Sequence, residues 1–147
     1  MDIHRSGDDL FNLDEFLGRP LFAHLATGSP DGPRESPVWF LWEESAIWLI
    51  GTSQDSFPKR VVNEPRCAIG IVDFDLERGL LQHVGMRGTA TVEDLNHERL
   101  CRLLRRYLGE NWESWNPGFV ARVIDRIDLM IRFDPRSVVM NDQPYFK

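Results

Sequence analysis

Cysteine is scarce: Cys67 and Cys101 are the only two in a chain of 147 residues. Neither stands at the spacing of a disulfide framework or a metal knuckle, so both are expected as reduced thiols, most simply small buried hydrophobes. Long apolar runs are missing too, and nothing approaches the ~18 residues of a membrane-spanning helix. The N-terminal stretch MDIHRSGDDLFNLDEF is polar and acidic, which fits neither a secretory signal nor an Arg-rich transit peptide. The default expectation is therefore a cytoplasmic protein. Positive charge is in deficit, with 17 Lys and Arg against 23 Asp and Glu and a net charge of −6. That balance argues against nucleic acid, whose binding rests on clustered cations. Familiar catalytic signatures are absent as well. His97-Glu98 is followed by Arg99, Leu100 and Cys101, so the HExxH zinc pattern fails at its second histidine. There is no P-loop, GxSxG or GxGxxG, and Gly85-Met86-Arg87-Gly88 is too short and lies within a strand pattern.

What remains is the composition of an ordinary soluble globule, 42% hydrophobic and 27% charged. The length predicts one domain spanning 1–147 with a core of its own. Asn12 caps a short helix with Leu13, Phe16 and Leu17 on one face. Residues 20–27 and 34–42 read as strands around the turn GSPDGP, and AIWLI at 46–50 follows Glu43-Glu44-Ser45 as a third. Connections this short make the three antiparallel. Asp55 or Ser56 can start a helix running to about Asn63, with Pro58 tolerated in its first turn. Strands follow at 66–74 and 82–93. The strongest helical pattern is DLNHERLCRLLRRYLGEN: Leu100, Leu103, Leu104, Tyr107 and Leu108 share a stripe, Arg102, Arg105 and Arg106 form a wet face, and Gly109 ends it. Beyond a connector holding Trp112 and Trp115, residues 127–133 alternate as a sixth strand, which 136–140 extend or bend. Six short, mostly antiparallel strands with a few helices predict a small barrel.

The stretch GTSQDSFPKRVVNEP at 51–65 carries the most chemistry. A helix N-terminus leaves N–H groups free and favours anions. Thr52, Ser53 and Ser56 add hydroxyl donors, and Lys59 and Arg60 add cations capable of charge-assisted bonds. A plain cap followed by a solvated cationic face accounts for the same residues. The five tryptophans, Trp39, Trp42, Trp48, Trp112 and Trp115, are read as packing groups.

Taken in order, LFAHLATGSPDGPRESPVWFLWEESAIWLIGTS, then VVNEPRCAIGIV, then HVGMRGTATVE resemble the pyridoxamine 5′-phosphate oxidase-like family, whose fold is the FMN-binding split barrel. The resemblance covers about 20–93 well and 127–140 more loosely. It implies a mainly β, six-stranded antiparallel split barrel that dimerises with itself and holds FMN between the two copies. It further implies that Ser36, Pro37, Val38 and Trp39 run beside the flavin ring. Thr52, Ser53, Ser56, Lys59 and Arg60 would hold the phosphate. Gln82 and His83 would reach the other subunit's flavin, and Arg87 would serve an anion or an interface ion pair. One departure concerns the phosphate motif: where many relatives carry lysine, eight residues before Pro65, this chain has Phe57, with Lys59 and Arg60 on the next turn.

A second departure is at the C-terminus. The end, IRFDPRSVVMNDQPYFK, has no Arg-x-His element for a pyridoxal phosphate substrate. The expectation is a flavin oxidoreductase acting on another small molecule, not the true oxidase, with no nameable catalytic acid or base. Two rivals stand beside it, the first of them keeping the fold. One uses a deazaflavin, against which the acidic pairs Asp8-Asp9 and Asp14-Glu15 count mildly. The other is a non-enzymatic flavin or haem carrier, with His24 or His83 as axial ligand.

Overall fold

The computed structural model describes residues 2–7 and 11–143. Asp8, Asp9 and the tail 144–147 lie outside the described residues. Eight strands form one sheet in the order β3-β2-β6-β7-β8-β5-β4, with β1 added beside β8. In chain order these are β1 (Asp2–Gly7), β2 (Ala23–Thr27), β3 (Arg34–Val38), β4 (Phe40–Glu43), β5 (Ala46–Gly51), β6 (Arg66–Asp75), β7 (Leu80–Asp94) and β8 (Leu129–Asp142). The helices are α1 (Leu13–Leu17), α2 (Ser56–Asn63), α3 (His97–Leu108) and α4 (Pro117–Arg122). The predicted architecture, a mainly β antiparallel split barrel with added helices, is the one observed, with eight strands rather than six.

Two strands account for the difference. The first is β1, which pairs parallel to β8 from Asp2↔Ser137 to Gly7↔Asp142. It lies in a stretch with no clear alternation. The second comes from the run 34–42, which breaks at Trp39 into β3 and β4. Before the break the chain pairs with β2 (Ser36↔Leu25), and after it with β5 (Phe40↔Leu49). The sheet curls until its two ends are successive pieces of one chain, so the backbone itself closes the barrel where a ladder of hydrogen bonds would otherwise stand.

Alternation fills the barrel. β2 turns Ala23, Leu25 and Thr27 inward, and β7 does the same with Gln82, Val84, Met86 and Ala90. Phe16, Phe40, Leu49, Ile69, Ile71, Ile131, Phe133, Val138 and Met140 complete this core. The inward residues of β8 are odd-numbered at 131 and 133 but even-numbered at 138, 140 and 142. A bulge explains the change. Arg87 pairs with Ser137 and Gly88 with Pro135, which leaves Arg136 without a partner and shifts the alternation by one. Gly88 is required there, because a Cβ would collide with the Asp134 carbonyl.

Outside the barrel, α3 lays Leu100, Leu103 and Leu104 over Leu41, Ala46, Trp48 and Met130, a second core. Asn96 caps the helix, accepting a bond from the Arg99 N–H at 3.0 Å. Glu43 pins it from the β4–β5 turn, accepting bonds from Arg99 Nε at 2.6 Å and Arg102 Nη2 at 2.7 Å. The bond from Arg102, more than that from Arg99, holds the Glu43 carboxyl below its usual range. Arg99 also stacks on the Trp48 ring at 3.7 Å.

Arg106 departs from the expected wet face. It is half-buried over the Phe40 ring, and its Nη2 donates to the carbonyls of Leu17 at 3.1 Å and Arg19 at 2.6 Å. Solvation gives way to the Leu17 carbonyl, one of the acceptors left open at the C-terminal end of α1, and to the Arg19 carbonyl, which also accepts the Leu21 N–H. Tyr107 is next in line. Its hydroxyl donates to Leu21 O at 2.6 Å and accepts the Phe40 N–H at 3.1 Å, so it stitches the segment before β2 to the point where β3 becomes β4. Tyr107→Phe leaves a buried donor and acceptor unpaired. It is expected to cost about 1–3 kcal/mol, read as a lowered urea midpoint with an unchanged slope.

Candidate functional site

The break at Trp39 opens one flank of β3. Its other edge is paired with β2, but no strand lies against the free edge of residues 36–38 among the described residues. The end of β5 and the start of α2 face this gap. Beyond Gly51 the chain folds into a tight turn: the Thr52 N–H donates to Asp55 Oδ2 at 2.8 Å, and the Asp55 N–H returns a bond to Thr52 O at 3.1 Å. Ser53 is drawn the other way, its N–H and Oγ both donating to Asp128 at 2.8 Å. Asp55 occupies the position before α2, yet its side chain makes no cap bond to the helix because it serves Thr52.

Arg60 reaches into the split. Its Nε donates to Thr27 Oγ1 at 2.7 Å, Nη1 to Ser56 Oγ at 2.8 Å and Nη2 to Ser36 Oγ at 3.3 Å. Thus a guanidinium is ringed by three hydroxyls drawn from β2, β3 and α2. No carboxylate lies within ion-pair distance of it among the described residues. Neutral acceptors leave the charge uncompensated, and hydroxyls can rotate to donate. Such a cluster is chemically suited to an anion that accepts from all four groups. Lys59 lies exposed beside it on the same helix.

Ser36, Ser56 and Arg60 are therefore brought together as one cluster, whereas Thr52 and Ser53 are engaged by Asp55 and Asp128. Thr27 was missed. Its signal was available: alternation through Ala23 and Leu25 places a hydroxyl at an inward, apolar position, and Thr27 is almost fully buried.

Continuing along β3, Pro37, Val38 and Trp39 line an apolar groove of about 240 Å³ with Phe22, Ile50 and Phe119. Trp39 stacks flat on Tyr107, with ring centroids 4.6 Å apart, and so presents a fixed face. The cationic cluster and this groove occupy successive residues of one strand edge. That is the chemistry of a ligand with a charged tail and a flat apolar head.

Gln82 and His83 point to opposite faces of β7. Gln82 is buried, accepting from Arg19 at 2.8 Å and donating to Asp142 at 3.4 Å. His83 and Arg87 lie on the outer face, above a floor of Ala26, Ala68, Gly70 and Gly85. His24 stands on the same face, its Nδ1 2.6 Å from Glu35, while the His83 Nδ1 meets Asn141 at 3.2 Å. No cluster able to hold a metal ion occurs among the described residues. No helix there is long and apolar enough to cross a membrane.

No protein-family model matches the chain, and no curated protein matches it. Solved structures do. A conserved hypothetical protein of Mycobacterium tuberculosis superposes with a TM-score of 0.71 at 20% identity, over 94% of this chain and 89% of the other. An F420 reductase gives 0.67 at 22% identity, over 88% and 98%. A putative pyridoxamine 5′-phosphate oxidase of Listeria innocua gives 0.57 at 15% identity, over 81% and 86%. The neighbours are split-barrel folds, and the fold of this chain is theirs.

Beneath the outer floor, Cys67 is buried among core side chains, and desolvation pushes its thiol up to about 11. At pH 8 only about a thousandth of it is thiolate. Native protein treated with Ellman's reagent should release one equivalent, from exposed Cys101 on α3, with the second appearing only in denaturant.

Proposed function

We propose that this chain is a flavin-binding oxidoreductase that holds FMN in the split and exchanges a hydride with a small molecule. The observation that carries the reading is the Arg60 guanidinium, surrounded by the hydroxyls of Thr27, Ser36 and Ser56 and lacking a carboxylate partner. In this reading those four groups, with Lys59, bind the phosphate as an anion. The free edge of residues 36–38 offers backbone donors and acceptors to the polar rim of the ring, and Pro37 and Val38 supply its apolar wall, with Trp39 and Ile50 beyond it on the side open to a substrate. Once bound, the flavin supplies hydride-level redox chemistry. The chain's work is to grip the tail, orient the ring and keep water from it. Ser53 and Gln82, whose polar atoms are already engaged by Asp128, Arg19 and Asp142, act as supports.

The proposed assembly is a cytoplasmic homodimer. Its support is the outer face, where Val72 and Val139 are exposed beside small residues that let a second backbone approach closely. His83 and Arg87 would then meet the partner's cofactor. A deazaflavin is the second reading, and its support is the structural likeness to the F420 reductase.

Purified protein should be yellow, or should become so on titration with FMN, with quenching of flavin fluorescence. Arg60→Ala is expected to weaken FMN about 10–100-fold, the worth of one or two lost charge-assisted bonds. A colourless protein that ignores FMN defeats the reading. Competition with a deazaflavin separates the two cofactors.

A further inference from the structure

Two arginines that the cofactor reading leaves unused open onto the same groove. The apolar channel along Trp39 runs past Ile50, Val123 and Ile127 into a polar mouth bordered by Thr52, Arg122 and Arg126. Arg122 ends α4, and Arg126 lies in the 3-10 turn Ile124–Arg126 that follows it. Both are exposed, and neither has an ion-pair partner among the described residues. The mouth also contains Asp55 and Asp128. Both oxygens of Asp128 accept from Ser53, and Oδ2 of Asp55 accepts the Thr52 N–H, while neither carboxylate forms an ion pair with the two guanidiniums.

The two ends of the groove thus ask for different things. Trp39, held flat by Tyr107 and flanked by Phe119 at 6.0 Å, favours a planar apolar body. Arg122 and Arg126 offer forked donors that match a planar carboxylate. In a chain of net charge −6 such a local cationic pair is needed to draw an anion in.

We infer that the groove between β3–β5 and the α4 segment takes a flat conjugated carboxylate as substrate, with its carboxylate on Arg122 and Arg126 and its body against Trp39. The inference deepens the flavin reading and rests on it for the groove's role as the substrate side of the cofactor.

The test compares trans-cinnamate with cinnamamide, equal in shape and different in charge, by calorimetry on FMN-loaded protein. Wild type should bind the acid at least about tenfold more tightly. The exposed double variant Arg122→Ala/Arg126→Ala should bind both at the amide's affinity while keeping its FMN affinity. Equal binding of acid and amide by wild type, or binding of neither, overturns the inference. So does a double variant that keeps the preference. A variant that loses FMN also overturns it, because the arginines would then belong to the cofactor. If the protein takes up no FMN, the same titration on free protein still decides: a preference lost in the double variant upholds the carboxylate groove while the flavin reading falls.

Discussion

A change of partners within one strand governs this molecule. The chain leaves β2 at Val38, passes Trp39 unpaired and joins β5 at Phe40, so the barrel closes through covalent continuity. Backbone groups that a ladder would have satisfied stay open along one flank of β3. Everything of chemical interest gathers there: the Arg60 cluster at one end of that flank, the flat face of Trp39 at the other. Tyr107, tied to both Leu21 and Phe40, holds the break in shape from outside the barrel. α3 therefore belongs to the site's architecture though it presents no obvious reacting group.

Charge is arranged by the same logic. Several arginines are spent on structure: Arg99 and Arg102 on Glu43, Arg19 on Glu15 and Asp73, Arg106 on the carbonyls of Leu17 and Arg19. Three that have no carboxylate partner among the described residues line concave surfaces, Arg60 in the split and Arg122 and Arg126 at the mouth of the groove. An acidic protein with unpaired cations in its clefts attracts small anions locally while repelling polyanions at long range.

Much of this was legible in the sequence, and what was not has a physical reason. The stripe of α3, the alternation of β7 and the start of α2 are local patterns, and they appear where expected. The break at Trp39 was hidden because 37–42 is an unbroken apolar run, and a change of partner leaves no trace in such a run. Arg106 followed the helical wet-face rule until tertiary carbonyls claimed it. At the site, residue types were readable but pairings were not. Serines and cations suggested an anion site, yet which hydroxyls meet Arg60 depended on β2 and β3 lying side by side, and so Thr27 went unnoticed. Nothing in sequence separated Gln82 from His83 by function, although adjacent strand positions must face opposite ways.

The bulge in β8 has a consequence of its own. With Arg136 standing as the extra residue, Ile131 and Phe133 before it and Val138 and Met140 after it all reach the same interior. The side chain at 136 is free to vary, since it points outward and pairs with nothing in the ladder. Its presence is not negotiable. Losing one codon there would turn the whole far half of the strand inside out, so this position tolerates replacement of its letter and forbids deletion of its place.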